Sequence, residues 1–166
     1  ETQLAKEKAR QMKEAFKSWI WEDIANYYGN PGSSLNYMDN LYYVHFKTGS
    51  IDGSPTVITK TVPDDLGITF TNKVKSSSTT GDESFIYYTD NKSECEIRGT
   101  LPWKQTDFTI KGSIPEPEIY LAKSFSKKLK ANGITISGKE KKTVYYDDKI
   151  ARKVFYTTYS PELIKI

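Results

Sequence analysis

The chain has 166 residues, 37% of them hydrophobic and 27% charged, and its 24 basic residues are nearly balanced by 21 acidic ones to leave a net charge of +3. That length fits one domain, or one domain with a small satellite, and leaves room for a real core. Basic and acidic residues are interspersed, which argues against a nucleic-acid surface, and no run approaches the roughly 18 apolar residues of a membrane helix. Cys95 and His45 are the sole cysteine and histidine, so an internal disulfide is impossible and a structural zinc site built from Cys and His is excluded. No cofactor or metal is expected. So few cysteines suit the cytosol or the periplasm equally. The chain opens on Glu1, without a methionine or a signal peptide, and is therefore expected to be a segment of something longer.

In chain order, residues Gln3 to about Ser18 read as a helix: Leu4, Met12, Phe16, Trp19 and Ile20 make an apolar stripe opposite Lys6, Glu7, Lys8, Lys13 and Glu14. From Trp21 to Asn40 turn formers dominate, among them Gly29, Asn30, Pro31 and Gly32. The period then switches to two. Leu41 to Lys47 predicts a strand with Tyr42, Val44 and Phe46 on one face and Tyr43, His45 and Lys47 on the other. Thr56 to Val62 and Ile68 to Lys75 predict two more, and Ser76 to Glu83 a polar exposed loop. Short strands follow at Phe85–Thr89, Cys95–Thr100 and Phe108–Gly112. The matching ends Arg98-Gly99-Thr100-Leu101-Pro102 and Lys111-Gly112-Ser113-Ile114-Pro115 suggest two strands leaving the sheet at similar corners. Pro117 opens and Gly133 closes a second helix, with Ala122, Phe125 and Leu129 as its apolar face. Strands at Thr143–Asp147 and Lys153–Tyr159 complete the pattern, and Pro161 starts a final segment that ends while still apolar. The sum is an α+β fold, mostly antiparallel sheet with two helices.

Three short patterns invite a serine-acyltransferase reading: Ser124-Phe125-Ser126-Lys127, Ser34-Leu35-Asn36 and Lys47-Thr48-Gly49. Their order along the chain is wrong for that chemistry, and Ser124 falls inside a helix instead of at its dipole-bearing start. Two-letter patterns also recur by chance in a chain so rich in Ser and Lys. No residue is therefore assigned a catalytic role. His45 alternates with Val44 and Phe46 and reads as a sheet residue before it reads as a general base. Cys95 lies in opposite phase to Glu94 and Glu96 and is expected to face the core, with the neighbouring carboxylates raising its thiol pKa. Asp64-Asp65 and Asp147-Asp148 read as turns without an acid–base partner. Tyrosine is abundant, 12 residues with the doublets Tyr27-Tyr28, Tyr42-Tyr43, Tyr87-Tyr88 and Tyr145-Tyr146. Such doublets place one ring in the core and one outside, where an exposed row could stack on sugar rings; tyrosine is also simply a good strand former.

Several segments, taken in order, carry a resemblance. Trp19-Ile20-Trp21-Glu22-Asp23-Ile24-Ala25-Asn26-Tyr27-Tyr28-Gly29, then Ser34-Leu35 and Asn40, resembles a Trp-x-Asp element running into a Tyr-Gly, Ser-x-Leu and Asn pattern. Lys111-Gly112-Ser113-Ile114-Pro115 resembles a Gly-x-x-Pro corner before a long helix, and Ala131-Asn132-Gly133-Ile134-Thr135-Ile136-Ser137-Gly138 the turn after it. Tyr159-Ser160-Pro161-Glu162-Leu163-Ile164-Lys165-Ile166 resembles a segment that leads into a catalytic Ser-x-Asn, with Glu162 where proline is usual. Together these are similar to the penicillin-binding protein 4 family of D-alanyl-D-alanine carboxypeptidases and endopeptidases.

The resemblance implies a serine transpeptidase-like enzyme interrupted by a large insertion. Residues 1–18 would be a helical stretch of uncertain origin, 19–159 the β-rich insertion in one or two small subdomains, and 160–166 the return toward the catalytic domain. The reactive serine, lysine and Lys-Thr-Gly would lie on flanking polypeptide, leaving this chain inactive alone. The resemblance also implies a periplasmic or cell-envelope location. The implied partners are the peptidoglycan stem peptide and the rest of the parent chain, with no nucleic acid and no membrane span. Asp23 would face the free ammonium of the stem peptide's diamino acid, and Tyr28 would pack along its aliphatic chain. Two other readings are a free-standing glycan- or protein-binding β-domain and an active hydrolase using Ser124 and Lys127.

Overall fold

The computed structural model describes residues 21–30, 35–90, 92–142, Thr157 and Tyr159. The helix expected over Gln3–Ser18, the strand expected at Thr143–Asp147 and all but Thr157 and Tyr159 of the strand expected at Lys153–Tyr159 lie outside the described residues. The described chain begins with a single helical turn, α1 (Trp21–Ile24), and a 3-10 turn, Tyr27–Gly29. Seven strands follow: β1 (Leu41–Lys47), β2 (Val57–Val62), β3 (Thr69–Asn72), β4 (Lys75–Ser77), β5 (Glu83–Tyr88), β6 (Glu94–Pro102) and β7 (Phe108–Ser113). A long helix, α2 (Pro117–Ala131), closes the series. The fold is α+β.

Two sheets share one core. The first runs β2-β1-β7, antiparallel throughout. In the second, β6 is the hub: β5 pairs with it antiparallel, while β3 and β4 pair with it parallel. The parallel ladders amend the mostly antiparallel expectation, although antiparallel pairing still predominates. The alternation in β1 sends Tyr42, Val44 and Phe46 into the core, as its sequence predicts. Val74, Ile86, Cys95, Ile97, Leu101 and Ile110 meet them there. Burying each large side chain of this kind contributes about 1.5–3 kcal/mol, which is what holds the sheets face to face.

Three local expectations change. The single strand expected over Ile68–Lys75 splits into β3 and β4, because Asn72 turns its amide onto the Thr56 carbonyl at 2.8 Å and accepts from the Val74 N–H at 3.0 Å. Those bonds, with the Lys73 N–H reaching the Ile97 carbonyl at 2.8 Å, replace regular strand pairing at the break. Ser76 and Ser77, expected in an exposed loop, belong to β4 and are buried. Finally, β6 continues through Gly99 to Pro102, so only the Lys111–Pro115 segment makes a corner.

Helix α2 starts with Pro117 in its first turn, and Gly133 follows its end at φ +80°. Its buried residues are Pro117, Tyr120 and Ser126, whereas Phe125 is 57% exposed, against the expectation of an apolar face through Phe125. The helix docks through Tyr120, whose ring lies 6.0 Å from Tyr37 and whose hydroxyl reaches Asp65 at 3.1 Å. Lys127 adds an ion pair to the same carboxylate at 2.6 Å. Asp65 is thus a docking residue with two partners, not the unpartnered turn residue expected.

Candidate functional site: a clamped tyrosine turn beside a cleft

Residues 22–29 form a compact turn held from several directions. The Asn26 side chain does most of this. Its amide nitrogen donates to the Glu22 carbonyl at 2.5 Å and the Ile86 carbonyl at 3.4 Å, and its oxygen accepts from the Ile86 N–H at 3.0 Å. A side-chain amide here satisfies the edge of β5 as a neighbouring strand would. On the other flank, the Ser113 N–H donates to the Ala25 carbonyl at 3.0 Å, and the Ser113 hydroxyl donates to the Ile24 carbonyl at 2.7 Å. Gly29 is required where it stands: a Cβ there would fall 1.8 Å from the Asp23 carbonyl oxygen.

This clamp turns two rings outward. Tyr27 is 54% and Tyr28 50% exposed, with their rings edge to face, 5.2 Å apart at 81°. Beside them opens a cleft of about 470 Å³, walled by Asp82, Ser84 and Phe85 at the start of β5 and by Thr109, Ile110 and Lys111 of β7. Partial burial raises the Tyr28 phenol pKa first, and the negative charges of Asp23 and Asp82 raise it further. Tyr28 therefore stays protonated and able to donate at neutral pH. Of the two residues singled out from sequence, Tyr28 lines the cleft. Asp23 stands half-buried beside the turn, near enough for its charge to act on Tyr28 but off the cleft wall. Asn26, Asp82, Phe85 and Lys111 were not singled out. They sit in three separate parts of the chain, and only the packing of the two sheets, with the turn bonded to β5 through Asn26 and to β7 through Ser113, brings them together.

The alternative centres dissolve on inspection. Lys127 is held by Asp65, which raises its pKa and leaves less free amine to take a proton at neutral pH, and Ser124 lies within α2. The Thr48 hydroxyl donates to the Pro102 carbonyl at 2.8 Å and accepts from the Gln105 N–H at 2.8 Å, a loop staple. Ser34 lies outside the described residues. His45 has only 15% of its side chain exposed, and Asp107 at 2.7 Å and Thr109 at 3.1 Å both contact the same ring nitrogen, Nδ1. A relay needs the orienting carboxylate and the nucleophile on opposite nitrogens, so this is a sheet contact. Burial pushes the Cys95 thiol up to about 12. Its inertness comes from that desolvation and not from Glu94 or Glu96; Glu96 is engaged with Lys73 and Arg98. No group of three His, Cys, Asp or Glu side chains that could hold a metal occurs among the described residues. No helix among them is long and apolar enough to cross a membrane.

Residues 8–166 match the D-Ala-D-Ala carboxypeptidase 3 (S13) family, and the chain belongs to that family. Among solved structures it is similar to penicillin binding protein 4 (dacB) from Haemophilus influenzae, at 22% identity and TM-score 0.56 over 73% of this chain. A second structure of that protein, complexed with a novel beta-lactam, aligns at 20% identity and TM-score 0.52 over 66% of this chain. The chain spans only about a quarter of those proteins, 27% and 25% of their lengths. No curated protein matches it.

Proposed function

We propose that this chain is the non-catalytic inserted region of a peptidoglycan D-Ala-D-Ala carboxypeptidase or endopeptidase, and that it shapes the cleft that receives the stem peptide. The parent enzyme cleaves through an acyl-serine intermediate whose nucleophile lies outside these residues, and it works in the cell envelope. In this reading Asp23 meets the free ammonium of the stem peptide's diamino acid, and Tyr28 covers its aliphatic chain. A desolvated ammonium needs a charge-assisted partner, and a carboxylate supplies it. One observation supports the reading: the 22–29 turn is clamped at Asn26 and Ser113 so that Asp23 stands beside Tyr28, which lines an open cleft. Binding geometry of this kind works only if the supporting groups are fixed.

In the whole protein, Asp23→Ala should slow turnover of peptides that end in a diamino acid by about tenfold or more, the scale of one charge-assisted contact. Acylation by penicillin, which has no such ammonium, should change little. Equal losses in both reactions would rule out a substrate-binding role for Asp23.

A further inference from the structure

We infer that the cleft between β5 and β7 is a subsite for the sugar strand, taking a β-linked N-acetylated amino sugar against the rings of Tyr27, Tyr28 and Phe85. The inference shares the cleft and Tyr28 with the stem-peptide reading, but it adds Tyr27, Phe85 and Lys111 and does not use Asp23. A pyranose presents an apolar C–H face and a rim of hydroxyl and amide groups. A site for it needs exposed aromatic surface with a few polar groups at the edge. Here Tyr27, Tyr28 and Phe85 are 54%, 50% and 37% exposed around one cleft. Tyr27 and Tyr28 stand at 81°, so they form two adjoining walls instead of a flat stack. Aromatic rings this exposed gain little for the fold, and three at one opening form a surface that water covers poorly.

The rim supplies both signs. Asp82, on the cleft wall, uses one carboxylate oxygen, Oδ1, to accept from the Ser84 N–H at 3.0 Å and hydroxyl at 2.6 Å, and its other oxygen makes no hydrogen bond among the described residues. Lys111 makes no ion pair among the described residues; its ammonium lies 5.9 Å from the ring centres of Tyr27 and Tyr43. An acetamido group offers one N–H and one carbonyl, the complement of a carboxylate and an ammonium on the rim of an aromatic cleft. One cation and one anion also make a poor site for a phosphate backbone, which would require clustered cations.

The test uses the whole protein and two probes free of peptide: the β-1,4-linked N-acetylglucosamine tetramer and the glucose tetramer without acetamido groups, titrated by calorimetry. Saturable binding of the first in the millimolar range or tighter, and weaker binding of the second, is expected. Tyr27→Ala and Phe85→Ala should each weaken it by about tenfold, the scale of one lost aromatic contact. Lys111→Gln, which disturbs no core contact, should narrow the preference between the two tetramers. Asp23→Ala should leave sugar binding intact, so failure of the stem-peptide assignment would not touch this one. Absence of saturable binding, or binding that survives both ring removals, overturns the inference.

Discussion

Asn26 offers a sharp perturbation because one small side chain carries three hydrogen bonds to backbone. In Asn26→Ala the Glu22 carbonyl and both polar groups of Ile86 lose their partner, and Ile86 is fully buried. A buried donor or acceptor left unpaired costs about 1–3 kcal/mol, whereas the Glu22 carbonyl, near the surface, can recover a water. Counting the Ile86 pair alone gives about 2–6 kcal/mol, brought to about 2–4 kcal/mol as the turn lifts and admits solvent. The cost should appear locally. Amide exchange of Ile86 should lose roughly 30- to 700-fold in protection, and Ser113, whose N–H is held by the adjoining Ala25 carbonyl, should follow in part. Asn26→Asp keeps the oxygen that accepts from the Ile86 N–H but sets a carboxylate against two carbonyl oxygens. The folded state would therefore favour the protonated acid and raise its pKa. Stability should be regained as pH falls through that raised value and lost above it, opposite to the wild-type trend for a paired carboxylate. Hydrogen–deuterium exchange of the whole protein, read residue by residue, decides. Unchanged protection at Ile86 in Asn26→Ala would show that the side chain does not clamp the turn.

Gly112→Ala should destabilise by about 1–3 kcal/mol, because its Cβ would lie 2.3 Å from the Tyr42 ring; Gly81→Ala, with nothing within 4 Å, is the neutral control, and denaturant midpoints compare them. Tyr42, Tyr88 and Cys95 are all held neutral by burial, their pKa values raised, Cys95 to about 12. The unfolded chain releases these protons from about pH 8.5 upward, so their stabilisation is complete below that pH and is lost as pH climbs toward 12. Denaturation midpoints measured from pH 8 to 11 should fall, and should fall less in Tyr42→Phe. The same burial makes Cys95 unreactive to thiol reagents at pH 8 until the protein unfolds, so labelling at the rate of a free thiol would contradict the core placement. Asp65→Asn removes a charge pair in which Lys127 is well exposed and should cost no more than about 1 kcal/mol by thermal melting.

What could be read in advance follows from how local each signal is. Alternation in Leu41–Lys47 places Tyr42, Val44 and Phe46 without any partner being known, because a strand with one buried face has only one acceptable phase. Pro117 and Gly133 bracket α2 for an equally local reason, the missing N–H of one and the left-handed freedom of the other. The parallel pairing of β3 and β4 with β6 has no local counterpart, because it depends on which distant strand arrives beside which. Phe125 illustrates the same boundary. It sits on a helical apolar period, but Tyr120, by meeting Tyr37 and Asp65, decides which face turns inward. Asn40 lies in between. It is buried at φ +53°, and its amide ties the Tyr37 N–H and the Leu35 carbonyl. An asparagine in a turn hints at such a left-handed position, but not at the Ile114 N–H that bonds its carbonyl at 2.7 Å.

The site follows the same logic. Asp23 and Tyr28 are picked out only through the resemblance of the Trp19–Gly29 segment to the penicillin-binding protein 4 family; without it Asp23 reads as a turn or helix-end residue. The cleft cannot be picked out, because its other walls come from about 60 and 80 residues further on and meet only through the core. Gly112 joins the two levels. It pairs with Tyr42 on one side and bridges to Asn26 on the other, so it occupies the one strand position where a side chain would collide with the core ring. The backbone approach that packs Tyr42 is also the one that seats the tyrosine turn. A change that loosens the β1–β7 ladder at this point should therefore shift Tyr27 and Tyr28 at the cleft before it unfolds the sheets.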